Sequence, residues 1–311
     1  MIYGLVFSKE TRVNFTRLTL LFLTAVIANT AAAQEMEPRA YSPTPIGTQF
    51  VIVGYAYQSG DVLLDASLPL QDVSVNLNAV SVGYGRAFDL AGRQANVAVL
   101  APYIWGTAQG TVFEDQVKVR RSGGGDVRVR FSTLFKGGEA RSPREFVGRK
   151  PSTVIGASVS IVVPTGQYDP ARLVNPGSNR WAFKPEIGIS KPLDRWTFEA
   201  MGGAWLSTTN NSFLGTSRRS QKPMASFQGG VIYTLRPRMW VSGNTTFFSG
   251  GGTQINGIAN NDRRKNLRVG ATFSYPINQK QSLKIAWAKG VTTRIGGNLN
   301  TIAVVWQYAW F

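Results

Sequence analysis

Near residues 180–190 the chain alternates strictly: Trp181, Phe183, Pro185, Ile187 and Ile189 share one parity, while Arg180, Lys184, Glu186 and Ser190 share the other. A period of two with one apolar and one charged side marks a β-strand whose faces meet different solvents. The pattern recurs at 126–136, where Val127, Val129, Phe131, Thr133 and Phe135 oppose Arg128, Arg130, Ser132 and Leu134. It recurs again with Leu267, Val269, Ala271, Phe273 and Tyr275 against Arg268, Thr272 and Ser274; with Leu283, Ile285 and Trp287 against Lys284; and with Trp196, Phe198 and Ala200 against Glu199. Read this way, the chain predicts twelve strands, at 49–58, 73–88, 94–107, 126–136, 153–163, 180–190, 196–206, 225–235, 239–249, 266–275, 282–290 and 299–311. Most are longer than the roughly five or six residues usual in soluble sheets. They approach the roughly nine to eleven that a tilted membrane strand requires.

The connections carry an independent signal. Those at 89–93, 191–195, 236–238 and 276–281 are short, whereas those after the first, third, fifth, seventh, ninth and eleventh strands are longer and polar, as at 108–125, 164–179 and 250–265. Short periplasmic turns alternating with longer outer loops are the habit of outer-membrane barrels. The connection at 137–152 breaks the alternation, and Ser142 followed by Pro143 predicts a capped helical turn at 142–147 within it.

Alternation by itself also describes a soluble sandwich or barrel. Strand length, loop alternation, the aromatic strand ends Trp196, Trp240, Tyr275, Tyr308 and Trp310, and the closing Phe311 favour the membrane. The expected fold is all-β, a transmembrane antiparallel up-and-down β-barrel of about 12 strands in the bacterial outer membrane. Arginine facing lipid at the midplane costs about 2–4 kcal/mol, so Arg128 and Arg130 fix the register: they must point inward or lie near an interface. The last strand leaves two choices. Ala303, Val305, Gln307 and Ala309 share the parity of Phe311, but Ile302, Val304, Trp306, Tyr308 and Trp310 make the better lipid face.

Ahead of the barrel, residues 1–33 read as a signal peptide: Arg12 and Arg17 precede an apolar core at 18–27, and Ala31–Ala33 form a small-residue cleavage site. Residues 34–48, with Pro38, Pro43, Pro45 and Gly47, read as an irregular periplasmic lead-in, which leaves 49–311 for the barrel.

Composition then narrows the chemistry. The 311 residues include no Cys and no His, which removes disulfides, thiol catalysis, His-ligated metals and His-based acid–base catalysis; no cofactor or metal is expected. Lys and Arg number 34 against 17 Asp and Glu, a formal charge of +17, yet they form no basic tail or helical reader, and no nucleic-acid partner is expected. Gly123–Gly125 and Gly250–Gly252 lack the Lys-Ser/Thr that completes a phosphate loop. Glu186 and Glu199, both facing inward, are the one carboxylate pair placed for acid–base work. Pairing with Lys184, Arg128 or Arg130 as part of a charged interior is the favoured alternative, so no enzyme is expected.

Pro164-Thr165-Gly166 with Tyr168, Asn175-Pro176-Gly177-Ser178-Asn179-Arg180-Trp181, and Phe183-Lys184-Pro185-Glu186 with Gly188 are similar to motifs of an outer-membrane family labelled for the MetA pathway of phenol degradation. The resemblance covers most of the chain beyond the leader. It implies the barrel fold and, by association, transport of aromatic compounds.

A barrel of about twelve strands lies between those filled by side chains and those enclosing an open channel, so a narrow or partly plugged passage is expected. Arg128, Arg130, Lys184, Glu186, Glu199, Arg268 and Lys284 are the residues expected to line it. Rings of Lys and Arg select anions, so small anions such as aromatic carboxylates are the expected solutes. The alternative is a closed, structural or surface-binding barrel. Its outer loops, with Asn210-Asn211 and residues 260–265, would hold lipopolysaccharide phosphates. Phe311 is the expected signal to the barrel-assembly machinery.

Overall fold

The computed structural model describes residues 37–64, 70–112, 115–172 and 174–311; the signal peptide expected at 1–33 lies outside the described residues. The wall begins with β1 (Gln49–Leu63), β2 (Leu70–Leu90) and β3 (Arg93–Val112). Its fourth position is shared by β4 (Asp115–Gly124) and β5 (Val127–Lys136), which pair with the outer and periplasmic halves of β3. A short helix, α1 (Pro143–Phe146), precedes β6 (Val154–Val163), β7 (Ala182–Leu193) and β8 (Trp196–Ser207). Strands β9 (Asn210–Phe213) and β10 (Ser217–Gln221) leave the wall, and β11 (Met224–Arg236) and β12 (Met239–Gly250) rejoin it. A second excursion carries β13 (Thr253–Ile255) and β14 (Ile258–Ala259) before β15 (Arg264–Pro276), β16 (Gln281–Thr293) and β17 (Gly296–Trp310) complete the wall. Pairing of β17 with β1, from Gln49↔Trp310 to Leu63↔Gly296, closes a ring of twelve antiparallel positions. Among the described residues no wall edge is left open, which is the condition for strands to sit in hydrocarbon.

Each predicted strand has its counterpart, but many run further at the outer end. The polar stretch after the third strand continues as the β3–β4 hairpin, and the one after the eleventh narrows to the Arg294–Ile295 turn between β16 and β17. The reason is a change of solvent. Beyond the bilayer both sheet faces meet water, so the alternation fades while the ladder hydrogen bonds continue. The expected helical turn is α1, where the Ser142 N–H donates to the Glu145 carboxylate at 2.8 Å and Pro143 opens the turn.

The faces are as the alternation requires. Ile187, Ile285 and Trp287 are 59%, 47% and 42% exposed on the outer face, while Lys184, Arg268 and Ser274 on the other parity retain 4%, 6% and 2%. The last strand turns Ile302 and Val304 outward and buries Leu299 and Thr301, so its lipid face is the parity that excludes Phe311. Trp240 corrects the expected aromatic rim. It pairs with Thr234 and Ser274, whose side of the sheet faces inward, and it is buried there.

Outside the wall, β14, β13, β10 and β9 form a separate four-stranded sheet over the outer end. The 164–181 connection folds beneath it, and Val174 packs against Val62, Val73, Val75, Ala108 and Leu299 on the inner wall.

Candidate functional site

Residues directly opposed across antiparallel strands point to the same face, so the pairing register maps the lumen. One row runs Gln307, Ile52, Gly83, Leu100, Arg128, Val162, Ala182, and the next toward the periplasm runs Ala309, Phe50, Gly85, Ala98, Arg130, Ser160, Lys184. Arg128 and Arg130 face inward, and the inner surface is divided. β1 to β3 contribute Phe50, Ile52, Ala98 and Leu100, whereas β5 and β7 contribute Arg128, Arg130 and Lys184. Gly83 and Gly85 leave the floor on which Ile52, Leu100 and Phe50 lie, since a Cβ at Gly85 would sit 2.2 Å from the Phe50 ring.

All seven residues expected inside the barrel lie on this inner face, but in separate groups. Lys184 Nζ meets Glu186 Oε2 at 2.5 Å, and Arg130 Nη2 meets Glu186 Oε1 at 3.4 Å. Glu199 accepts from Ser190 Oγ at 3.2 Å and from the backbone N–H of Arg39 at 2.9 Å. Arg268 donates to Leu299 O and Thr301 Oγ1, both at 3.4 Å, and Lys284 reaches Gln307 Oε1 at 3.5 Å. Arg128 and Lys184 lie 5.8 and 6.0 Å from the ring of inward-facing Trp205, which packs with Met224 and Phe248. The two glutamates are therefore engaged in different networks rather than forming one carboxylate pair.

The lead-in supplies contacts that alternation could not reveal. Tyr41 is buried, its hydroxyl 3.1 Å from Ser158 Oγ and donating to Glu186 Oε1 at 3.1 Å. Its ring fills the space left by directly paired Gly156 and Gly188. Glu37 pairs with Arg130, and Arg39 donates to Thr234 Oγ1 at 3.1 Å while its guanidinium lies 5.3 Å over the Trp240 ring. The Arg130 guanidinium holds the Glu37 carboxyl below the usual carboxylate range. Burial, helped by the Glu186 carboxylate, pushes the Tyr41 phenol up to about 12. Together Arg39, Arg128, Arg130, Lys184, Arg268 and Lys284 face Glu37, Glu186 and Glu199, a clear cationic excess.

At the outer end Asp126, in the break between β4 and β5, holds the 164–181 connection. Its carboxylate accepts from Gly166 N and Ser178 N at 2.9 Å each and from Ser178 Oγ at 2.5 Å. Gly166 and Gly177 let the two arms of the connection touch, because a Cβ at Gly166 would lie 2.7 Å from Gly177 Cα. Arg180 donates to Gln221 Oε1 at 2.6 Å. Burial, reinforced by Arg219 and Arg264, pushes the Arg180 guanidinium down to about 9. Burial likewise brings Arg219 to about 10, opposed by Asp262.

Comparison with known proteins agrees with this geometry. Residues 49–303 match the family described as "Putative MetA-pathway of phenol degradation". The COG4313 outer membrane channel from Pseudomonas putida F1 superposes with a TM-score of 0.73 at 19% identity, over 89% of this chain and 100% of that one. The transport unit of the Escherichia coli autotransporter AIDA-I (TM-score 0.48, 9% identity, 95% of this chain, 99% of that) and the Pseudomonas putida toluene transporter TodX (0.44, 8%, 86%, 89%) are more distant. No curated protein matches the chain. The protein is a closed twelve-stranded barrel of the bacterial outer membrane.

Proposed function

Because the chain belongs to the family described as "Putative MetA-pathway of phenol degradation", we propose that it is a passive outer-membrane channel for small anionic aromatic solutes. The observation that carries this is the divided lumen. An apolar wall of Phe50, Ile52, Ala98 and Leu100 stands in register with a cationic wall of Arg128, Arg130 and Lys184. A solute with a ring and a carboxylate meets both walls at once, whereas inorganic ions use only one of them. Arg268 and Lys284 extend the basic path toward the two ends, with Glu186 and Glu199 tethering neighbouring groups rather than reacting. The Pseudomonas putida barrel that superposes on this chain is an outer membrane channel, which supports a non-enzymatic role.

Purified protein in liposomes tests this through uptake of benzoate, benzylamine and acetate. The expected order has benzoate above acetate and both well above benzylamine. Uptake of benzylamine at or above the rate of benzoate would refute the reading.

A surface-binding reading has one observation in its favour. On the outside of the wall a cavity of about 500 Å³ is lined by Asn76, Asn78, Trp105, Arg120 and Ser122 among others. Its mixture of aromatic, amide and guanidinium groups suits a lipopolysaccharide phosphate, and such binding is compatible with a channel inside. Phe311, beyond the end of β17, remains the group proposed to address the assembly machinery.

A further inference from the structure

We propose that the outer sheet and the 164–181 connection build a carboxylate-binding site at the extracellular end, with Arg219 as its bidentate donor. The site rests on the channel reading, since it would receive the anionic solute before passage.

Arg219 lies on the buried side of β10, opposed to Ile255 of β13 and Asn210 of β9, while Arg218 beside it is exposed and donates to Asn211 at 3.2 Å. Arg219 is only 6% exposed, and its Nε and Nη2 have no hydrogen-bond partner. These two N–H groups form one edge of the guanidinium, and it is the edge that grips a carboxylate with two parallel hydrogen bonds. Leaving them buried and unsatisfied is costly, so the edge is built for an acceptor.

The surroundings favour an anion. Arg219 and Arg264 are close enough to act electrostatically on Arg180, and Arg264 acts on Arg219 as well. The acidic groups that act on this cluster are already engaged. Asp126 is held by Gly166 and Ser178, and Asp262 accepts from Thr253 N and Thr253 Oγ1 at 2.7 Å each. Both carboxylates are thus committed to loop structure, while the Nε and Nη2 edge of Arg219 is not. Aromatic groups adjoin the edge: Phe213 lies 5.2 Å beneath the Arg219 guanidinium, and half-buried Tyr168 is fixed by its hydrogen bonds to Ser212 O at 3.1 Å and from Asn210 Nδ2 at 2.9 Å.

Calorimetric titration of the detergent-solubilised protein with sodium benzoate, and with benzyl alcohol as the neutral probe, tests the site. Wild type is expected to bind benzoate and not benzyl alcohol. Arg219→Gln should weaken benzoate binding at least tenfold, Arg219→Lys several-fold because the charge stays but the fork is lost, and Arg218→Gln not at all. Heat-modifiable migration on gels confirms that each barrel is folded. Equal benzoate binding by wild type and Arg219→Gln, or no benzoate binding by folded wild type, overturns the site. The channel reading fails separately. If Arg219→Gln keeps its benzoate affinity while benzoate uptake persists, only the mouth site is lost. If benzylamine enters as readily as benzoate, the channel reading is lost while the binding result stands.

Discussion

Gly188→Ala places a methyl group where the Tyr41 ring now lies. The new Cβ would be 2.3 Å from Tyr41 Cε2, 2.6 Å from Cδ2 and 2.9 Å from Met201 Cγ. Carbon atoms at rest are separated by roughly 3.5–4.0 Å, so the ring must move by more than an ångström. The wall cannot give way, because Gly188 is pinned between Gly156 on β6 and Met201 on β8 by ladder pairing. Overpacking of this kind costs about 1–3 kcal/mol, and a displaced ring also gives up a hydroxyl contact to Ser158 worth about 0.5–1.5 kcal/mol and one to the Glu186 carboxylate worth about 1.5–3 kcal/mol. What remains to hold residues 37–41 is the Glu37–Arg130 pair and the Arg39 contacts, while residues 44–48 stay bonded to Gln94, Arg141 and Ala87. Residues 37–41 should therefore leave the lumen for a substantial fraction of the time. Two readouts follow: faster tryptic cleavage after Arg39 in folded protein, and larger or longer single-channel openings in planar bilayers, approaching those of a variant lacking 34–41. Cleavage that accelerates while conductance stays at the wild-type level would show that the lead-in does not obstruct the path.

Removing the Arg128 charge should lower the anion-to-cation permeability ratio by up to about tenfold, since one charge about 6 Å away in a water-like dielectric favours a permeating anion by about 0.7 kcal/mol and disfavours a cation by about as much; bi-ionic potentials of Arg128→Gln measure it. The Glu37 carboxyl is held low by Arg130, so the anchorage it adds is complete above the ordinary carboxylate pKa and is lost as pH falls through its depressed folded value. Conductance should accordingly be flat around neutrality and rise only under acid, and Glu37→Gln should show the acid-state conductance at neutral pH. Asp126→Ala removes three hydrogen bonds to a charged acceptor, each worth about 1.5–3 kcal/mol; the 164–181 connection should then be cut by trypsin at Arg172 while the barrel stays heat-modifiable.

The wall was legible because it depends on a local rule. Lys184 and Ile187, or Arg268 and Val269, differ only in parity, and the bilayer makes parity decisive. The lumen's polar side was legible for the same reason. Its apolar side was not, since β1 to β3 carry Ile52, Val53, Val99 and Leu100 on both parities, and an apolar inner face erases the contrast on which alternation depends. Tyr41, Arg39 and Glu37 were hidden for a different reason. A Pro-rich segment has no period, and its partners Glu186, Glu199 and Arg130 are more than ninety residues away. Pro-rich composition argued correctly against a strand and said nothing of where the segment docks. Asp126 stood at the edge of a predicted strand, but its role depends on the break between β4 and β5, which no face pattern marks.

The reversal potential of the purified protein in a planar bilayer across a potassium benzoate gradient tests the central claim most directly. The divided, net-cationic lumen predicts a potential of the sign set by the anion, reduced in Arg128→Gln. A potential set by potassium, or a folded protein that conducts nothing even without residues 34–41, would contradict it.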